Sequence, residues 1–203
     1  MKTKKYLLVG ALILSLSTPA IAQNDSYKAA LNPIISAIEA APNDVNAGKD
    51  LIKDYLKTYK KDEQALTALG NVYLAQRNFA EAMKIANSIV SNKKMNGTLG
   101  YLLLGDIVAL QDSVGNAGAA AQNYATAISL DPHNVAAYER YAKVYRHVNP
   151  QVSVQKLEEL RQVEPNYPVE ATAAEIMLGD GKYAEALSWF DKANRANLTE
   201  DNF

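Results

Sequence analysis

The chain has 203 residues, of which 21 are basic and 22 acidic, and a net charge of −1 is too even for non-specific nucleic-acid binding. It has no cysteine, so disulfides and lipid attachment through cysteine are excluded. With 48% apolar residues, a packed core must hold it together.

Residues 1–22 read as a secretory signal peptide. Lys2, Lys4 and Lys5 make a charged start, Tyr6 to Leu16 is an apolar run, and Ala20-Ile21-Ala22 is a small-x-small cleavage site before Gln23. The run is shorter than the roughly 20 apolar residues that span a bilayer, so no stable membrane insertion is expected after cleavage. The short charged start and the Ala-x-Ala site are of a bacterial type and place the product in a periplasm or outside the cell. Loss of the three lysines takes the net charge from −1 to −4.

Residues 23–62 are expected to form a degenerate helix pair or cap. Leu31, Ile34, Ile35 and Ile38 mark a first helix that Ala40-Ala41-Pro42 ends. Pro33 is expected near its start, where proline is tolerated. Asp44 is a candidate cap for a second helix, which carries Leu51, Ile52, Tyr55 and Leu56 and ends near Tyr59-Lys60.

From residue 63 the pattern recurs. Leu66, Leu69, Gly70 and Tyr73 fall at i, i+3, i+4 and i+7, on one face of a helix. After the polar turn Gln76-Arg77-Asn78, Phe79, Ala82, Met83, Ala86 and Val90 make a second stripe. A second copy has Tyr101, Leu104, Gly105 and Val108, then Ala120, Tyr124 and Ala127, closed by Asp131-Pro132. A third has Tyr138, Tyr141, Ala142 and Tyr145, then Ser153, Leu157 and Leu160, closed by Glu164-Pro165. A fourth has Ala173, Ala174 and Met177, then Tyr183, Ala186, Phe190 and Ala193. The small residue of each first helix recurs at 70, 105, 142 and 174, and that of each second helix at 82, 120, 153 and 186. Small side chains there let paired helices approach closely.

Leu110 to Gly118 is longer than the matching turns and maps to a loop at one edge of the array. Gly179-Asp180-Gly181 makes the turn of the last copy, where glycine can take φ > 0. The final helix carries Tyr183, Leu187, Trp189 and Phe190 with nothing after it to cover them, so residues 199–203 are expected to start a further repeat.

No chemistry-bearing constellation emerges. His133 and His147 lie in different elements, and no metal or cofactor is expected. There is no phosphate loop, nucleophile elbow or HExxH motif, so no catalytic residue is assigned and the chain is not expected to be an enzyme. Carboxylates sit with lysines on solvated faces, as in Lys156-Leu157-Glu158-Glu159.

The recurring pattern resembles the tetratricopeptide repeat family, with Leu-Gly and an aromatic in the first helix, Ala, an aromatic and Ala in the second, and a closing Pro. Tyr101-Leu104-Gly105 with Ala120-Tyr124-Ala127-Pro132 follows it nearly in full, and Leu69-Gly70-Tyr73 with Phe79-Ala82 follows it well. The third copy keeps Tyr138, Ala142, Tyr145 and Pro165 but has Ser153 for Ala, and the fourth keeps mainly its second helix. The resemblance covers residues 63–198, as repeats over about 63–96, 98–134, 135–166 and 167–198. It implies an all-α, right-handed superhelical solenoid of antiparallel helix pairs, about ten helices in all.

The resemblance further implies that the first helices line a concave groove. There it places Gln64, Thr67, Asn71 and Leu74, then Leu99, Leu102 and Asp106, then Glu139, Lys143, Arg146 and His147, and finally Glu175. The expected function is a non-catalytic scaffold of the bacterial envelope that binds a protein or peptide. The alternative is an accessory domain of a longer enzyme or of an outer-membrane assembly or nutrient-uptake component. Members that grip the acidic tails of chaperones use Lys, Asn and Arg at positions that are Thr67, Asn71, Leu103, Ala136 and Arg140 here; three differ, and that function is not carried over. Lys143 and Arg146, two cations within one turn, point to an acidic or C-terminal peptide segment as ligand.

Overall fold

The computed structural model describes residues 26–41, 44, 46–112 and 115–198, with side chains to residue 193. The expected signal peptide and the expected continuation at 199–203 lie outside the described residues. Among the described residues ten helices follow one another: α1 (Ser26–Ala40), α2 (Lys49–Tyr59), α3 (Glu63–Ala75), α4 (Phe79–Val90), α5 (Thr98–Gln111), α6 (Ala117–Leu130), α7 (Val135–Tyr145), α8 (Pro150–Val163), α9 (Glu170–Gly179) and α10 (Tyr183–Leu198). Among the described residues there is no strand.

The starts of four helices are written in the sequence. Asp62, Asn78, Asn134 and Asn149 each accept a hydrogen bond from the backbone N–H three residues on, at 3.0–3.3 Å, and so cap α3, α4, α7 and α8. Asn78 therefore serves α4, and Arg77 takes the left-handed turn before it, at φ 54. Two expectations in the first pair are corrected. Asp44 does not cap α2: its carboxylate accepts from the Asn46 N–H in the connecting turn, and Gly48 at φ 71 stands before the helix. Pro33 is not near the start of α1 but at its eighth residue, because the helix begins earlier than its apolar stripe. The missing hydrogen bond falls on an exposed side, at Ala29, where water can satisfy the carbonyl.

Each helix packs mainly on its sequence neighbours, with α3 also touching α5 and α1 touching α3. The two ends, α1 and α10, are not among the packed pairs, so no single core closes the molecule. Burial is divided among three clusters. The first runs from Leu31 and Ile34 in α1 through Leu69 and Ile89 to Leu103 and Ile107 in α5. The second joins Leu102, Ala120, Tyr124, Ala127 and Ala137. The third runs from Tyr138 and Ala142 through Leu157 and Met177 to Trp189. α5 and α7 each feed two clusters, from adjacent sides of the helix. That is why α5, TLGYLLLGDIVALQ, is apolar nearly all round.

Of the tyrosines of α7, Tyr138 is buried, while Tyr141 and Tyr145 are half-buried. Those two rings lean on each other at 5.5 Å, and Lys156 covers Tyr141. At Tyr55 the buried hydroxyl donates to the Ala65 carbonyl at 2.9 Å and ties the first pair to α3. Burial pushes the Tyr55 phenol well up, with charge from Tyr27, Asp62 and Tyr59 adding to it.

Ser153 occupies the small-residue position of α8, fully buried, and its hydroxyl has no hydrogen-bond partner. A buried unpaired hydroxyl costs about 1 kcal/mol or more, and alanine also favours helix. Ser153→Ala is expected to raise stability by about 1 kcal/mol and the melting temperature by roughly 2–4 °C. A calorimetric scan showing a lower melting temperature would contradict this register.

Candidate functional site

The first helices α3, α5, α7 and α9 carry the candidate face. In α3, Glu63 lies in the first turn and reaches forward one repeat. Its carboxylate accepts from the Gly97 N–H at 3.2 Å and the Leu99 N–H at 2.8 Å, so it caps α5 from the preceding unit. The Thr67 hydroxyl donates to the Glu63 carbonyl at 2.8 Å and is spent on its own helix. Gln64 is half-buried and Asn71 exposed.

In α5, Asp106 is the centre of a bridge among three helices. It accepts from the Tyr124 hydroxyl of α6 at 2.8 Å, and Arg140 Nε of α7 lies 3.3 Å from the same oxygen. The Asp106 side chain is 21% exposed and that of Arg140 24%, so the pair is screened only in part from water. Burial pushes the Asp106 pKa up, while Arg140 and the Tyr124 hydrogen bond pull it back. Burial, then the Asp106 charge and hydrogen bond, push the Tyr124 phenol strongly up, with Arg140 acting the other way.

In α7, Glu139 accepts from the Tyr167 hydroxyl at 2.7 Å. Tyr167 lies in the lead-in to α9, and its phenol is pushed up to about 12 by burial and by Glu139. Lys143 stands 4.0 Å from the other Glu139 oxygen with its side chain 54% exposed. Arg146 and His147 are exposed, and Arg146 Nε donates to His147 Nε2 at 3.1 Å. Glu175 of α9 is exposed.

Two expected groove residues are not on the surface. Leu102 is buried in the second cluster and Leu74 in the first, because each points between paired helices. Leu99 is half-buried. Of the clamp positions, Leu103 is fully buried and Arg140 is already held by a carboxylate of its own chain.

The residues that sequence reasoning missed are the partners of the carboxylates: Glu63 itself, Tyr124 as a donor, Arg140 and Tyr167. A signal for them exists. Asp106 and Arg140 are 34 residues apart and of opposite charge, and Glu63 lies 34 and 36 residues before the two N–H groups that it holds. Pairing polar residues one repeat apart would have found the Asp106–Arg140 bridge. Arg161 and Glu170, at 3.0 Å, make a further one between α8 and α9.

No protein-family model matches the chain, and no curated protein matches it in sequence. Solved structures do match it. The crystal structure of MamA aligns with a TM-score of 0.58 at 19% identity, over 81% of this chain and 95% of that one. MamA from Desulfovibrio magneticus RS-1, residue 41 to the end, aligns with a TM-score of 0.58 at 14% identity, over 89% and 100%. TTC0263, a thermophilic TPR protein of Thermus thermophilus, aligns with a TM-score of 0.58 at 19% identity, over 84% and 93%. The fold is that of a tetratricopeptide array. At these identities the likeness carries the fold, and the ligand must be argued from the array's own side chains.

Proposed function

We propose that this tetratricopeptide array is a non-catalytic scaffold of the bacterial envelope that binds a protein or peptide partner through the face of its first helices. The ligand it suits is an acidic or C-terminal segment. One observation carries this reading: the α7 end of the face presents two exposed cations, Lys143 at 4.0 Å from Glu139 and Arg146 beside His147. Glu63, Asp106 and Glu139 are engaged in bridges between units. Lys143 and Arg146 remain exposed within one turn of each other. Two exposed cations within one turn steer an acidic segment and set its specificity. The leader-like residues 1–22 support export to the envelope. No described helix is long and apolar enough to cross a membrane.

The test is capture of a partner from envelope extract by the purified protein. Lys143→Glu with Arg146→Glu is expected to weaken binding of that partner by roughly tenfold, about 1.4 kcal/mol, and to flatten its salt dependence. Equal capture by the double variant would place binding on another surface.

A further inference from the structure

The cations along α2 stand apart from those of the other helices. Residues 49–61 carry five lysines against two aspartates, in a chain whose net charge is −1. Lys49, Lys53, Lys57 and Lys60 fall at i, i+4, i+8 and i+11, which at about 100° per residue keeps them within an arc of about 80°. All four are exposed, and so is Lys61 beyond them. Elsewhere Lys84, Lys143, Lys156 and Lys182 each stand beside a carboxylate. Among the described residues, none of the four lysines of the stripe has a carboxylate within ion-pair distance. Like charges at this spacing repel one another along a helix. Lys49 also opens α2, where the helix dipole disfavours a cation. The stripe thus weakens the helix that carries it.

The surroundings of the stripe suit an amphiphile. Tyr55 is buried and tied to α3, so α2 is anchored on the array with its lysines turned outward. Beside them lies an open recess of about 330 Å³, lined by Leu56, Leu66 and Ile85, by Lys60 and by the paired Lys84 and Glu81. Glu63 holds the Gly97 N–H, which brings exposed Lys93 and Lys94 to the same edge of the array as Lys60 and Lys61. Every one of these cations is lysine. Its ammonium is a compact point charge, without the planar fork by which arginine grips one carboxylate or phosphate at two points. Point charges strung along roughly 16 Å of exposed helix suit many anions spread over a plane better than one anion in a fixed pose.

We propose that α2 docks this protein on an anionic lipid surface, with Lys49, Lys53, Lys57 and Lys60 among the headgroups and the helix lying along the plane. The apolar side of α2 stays packed on the array, so the helix does not enter the acyl layer. Attachment is electrostatic and reversible. The surface shares no residue with the peptide face proposed above and does not depend on it.

Co-sedimentation of the purified protein with vesicles tests this. Binding to phosphatidylcholine vesicles that contain about 30% phosphatidylglycerol is expected to exceed binding to pure phosphatidylcholine at low salt. That excess is expected to vanish at about 1 M salt, where charges are screened within about 3 Å. Lys53→Gln with Lys57→Gln should reduce the excess affinity roughly tenfold or more, since each lysine near an anionic surface contributes about fivefold. Lys53→Arg with Lys57→Arg should bind as the wild type does. The replaced side chains are exposed and glutamine is a good helix former, so helicity by circular dichroism should be unchanged. Residues 1–22 are common to all three proteins, so a difference among them belongs to α2. Four results would each overturn the proposal: no excess on the anionic vesicles, an excess that persists at high salt, equal binding by the glutamine variant, or loss of binding by the arginine variant. Displacement from the vesicles by an equal charge of polyglutamate or duplex DNA would overturn it too, in favour of that partner.

Discussion

Gly105→Leu is expected to destabilise the array by about 3 kcal/mol, at the upper end of the usual cost of overpacking. The reason is local. A Cβ at Gly105 would overlap the Tyr124 ring of the paired helix, at three of its carbon atoms. Tyr124 cannot swing away, because it is buried and its hydroxyl is fixed on Asp106. A leucine must therefore either part α5 from α6 or break that hydrogen bond. Gly118→Ala serves as the control, since nothing lies within 4 Å of a Cβ there. Gly118 lies in the first turn of α6, and alanine should be neutral or slightly stabilising. Denaturant midpoints decide between these outcomes. Equal midpoints for the two variants would mean that the close approach of α5 and α6 is misplaced.

Asp106→Ala should cost about 2–3 kcal/mol. It strands a buried tyrosine hydroxyl and leaves a mostly enclosed guanidinium without its counter-charge. Asp106→Asn should cost less, because an amide still offers an oxygen to Tyr124. The pH dependence of these variants gives a second reading. Burial raises the folded pKa of Asp106 above its unfolded value. Its contribution to stability is therefore fully present below the unfolded pKa, about 4, and is lost as pH rises through the folded pKa. Relative to Asp106→Asn, the wild type should lose stability over that window. Parallel stability profiles for the two proteins, from about pH 3 to about pH 7, would show that the carboxyl is not desolvated as described.

Much of the fold could be read from the chain because helix pairs declare themselves locally. Stripes at i, i+3, i+4 and i+7 lie within one helix, and capping residues such as Asp62 and Asn149 sit beside the helices that they start. The spacing of Gly70, Gly105 and Ala142 then ties local patterns into a repeat. The candidate site was harder, for a physical reason. A periodic pattern says which way a side chain points from its own helix, and not what the next helix brings to it. Asp106 and Glu139 lie on first helices as expected, yet Arg140 and Tyr167 arrive from the following unit and engage them. Leu102 was misplaced because α5 is enclosed on two sides, which a single apolar stripe cannot express. Pro33 misled for the opposite reason: a proline on an exposed face disturbs no packing and so need not mark a helix start.

The division of the core among three clusters bears on how the two ends of the molecule communicate. α5 and α7 each belong to two clusters, so they act as shared walls between otherwise separate interiors. They also carry Asp106, Glu139 and Lys143, and Arg146 directly follows α7. A segment bound at the proposed face would press on the walls and not on the interiors themselves. Tilting α7 by a small amount would loosen the packing around Tyr138 and Leu157 on one side while tightening that around Ala127 on the other. Strain introduced by a ligand would then travel along the array as an alternation of slack and compression, with each shared helix handing it to the next cluster.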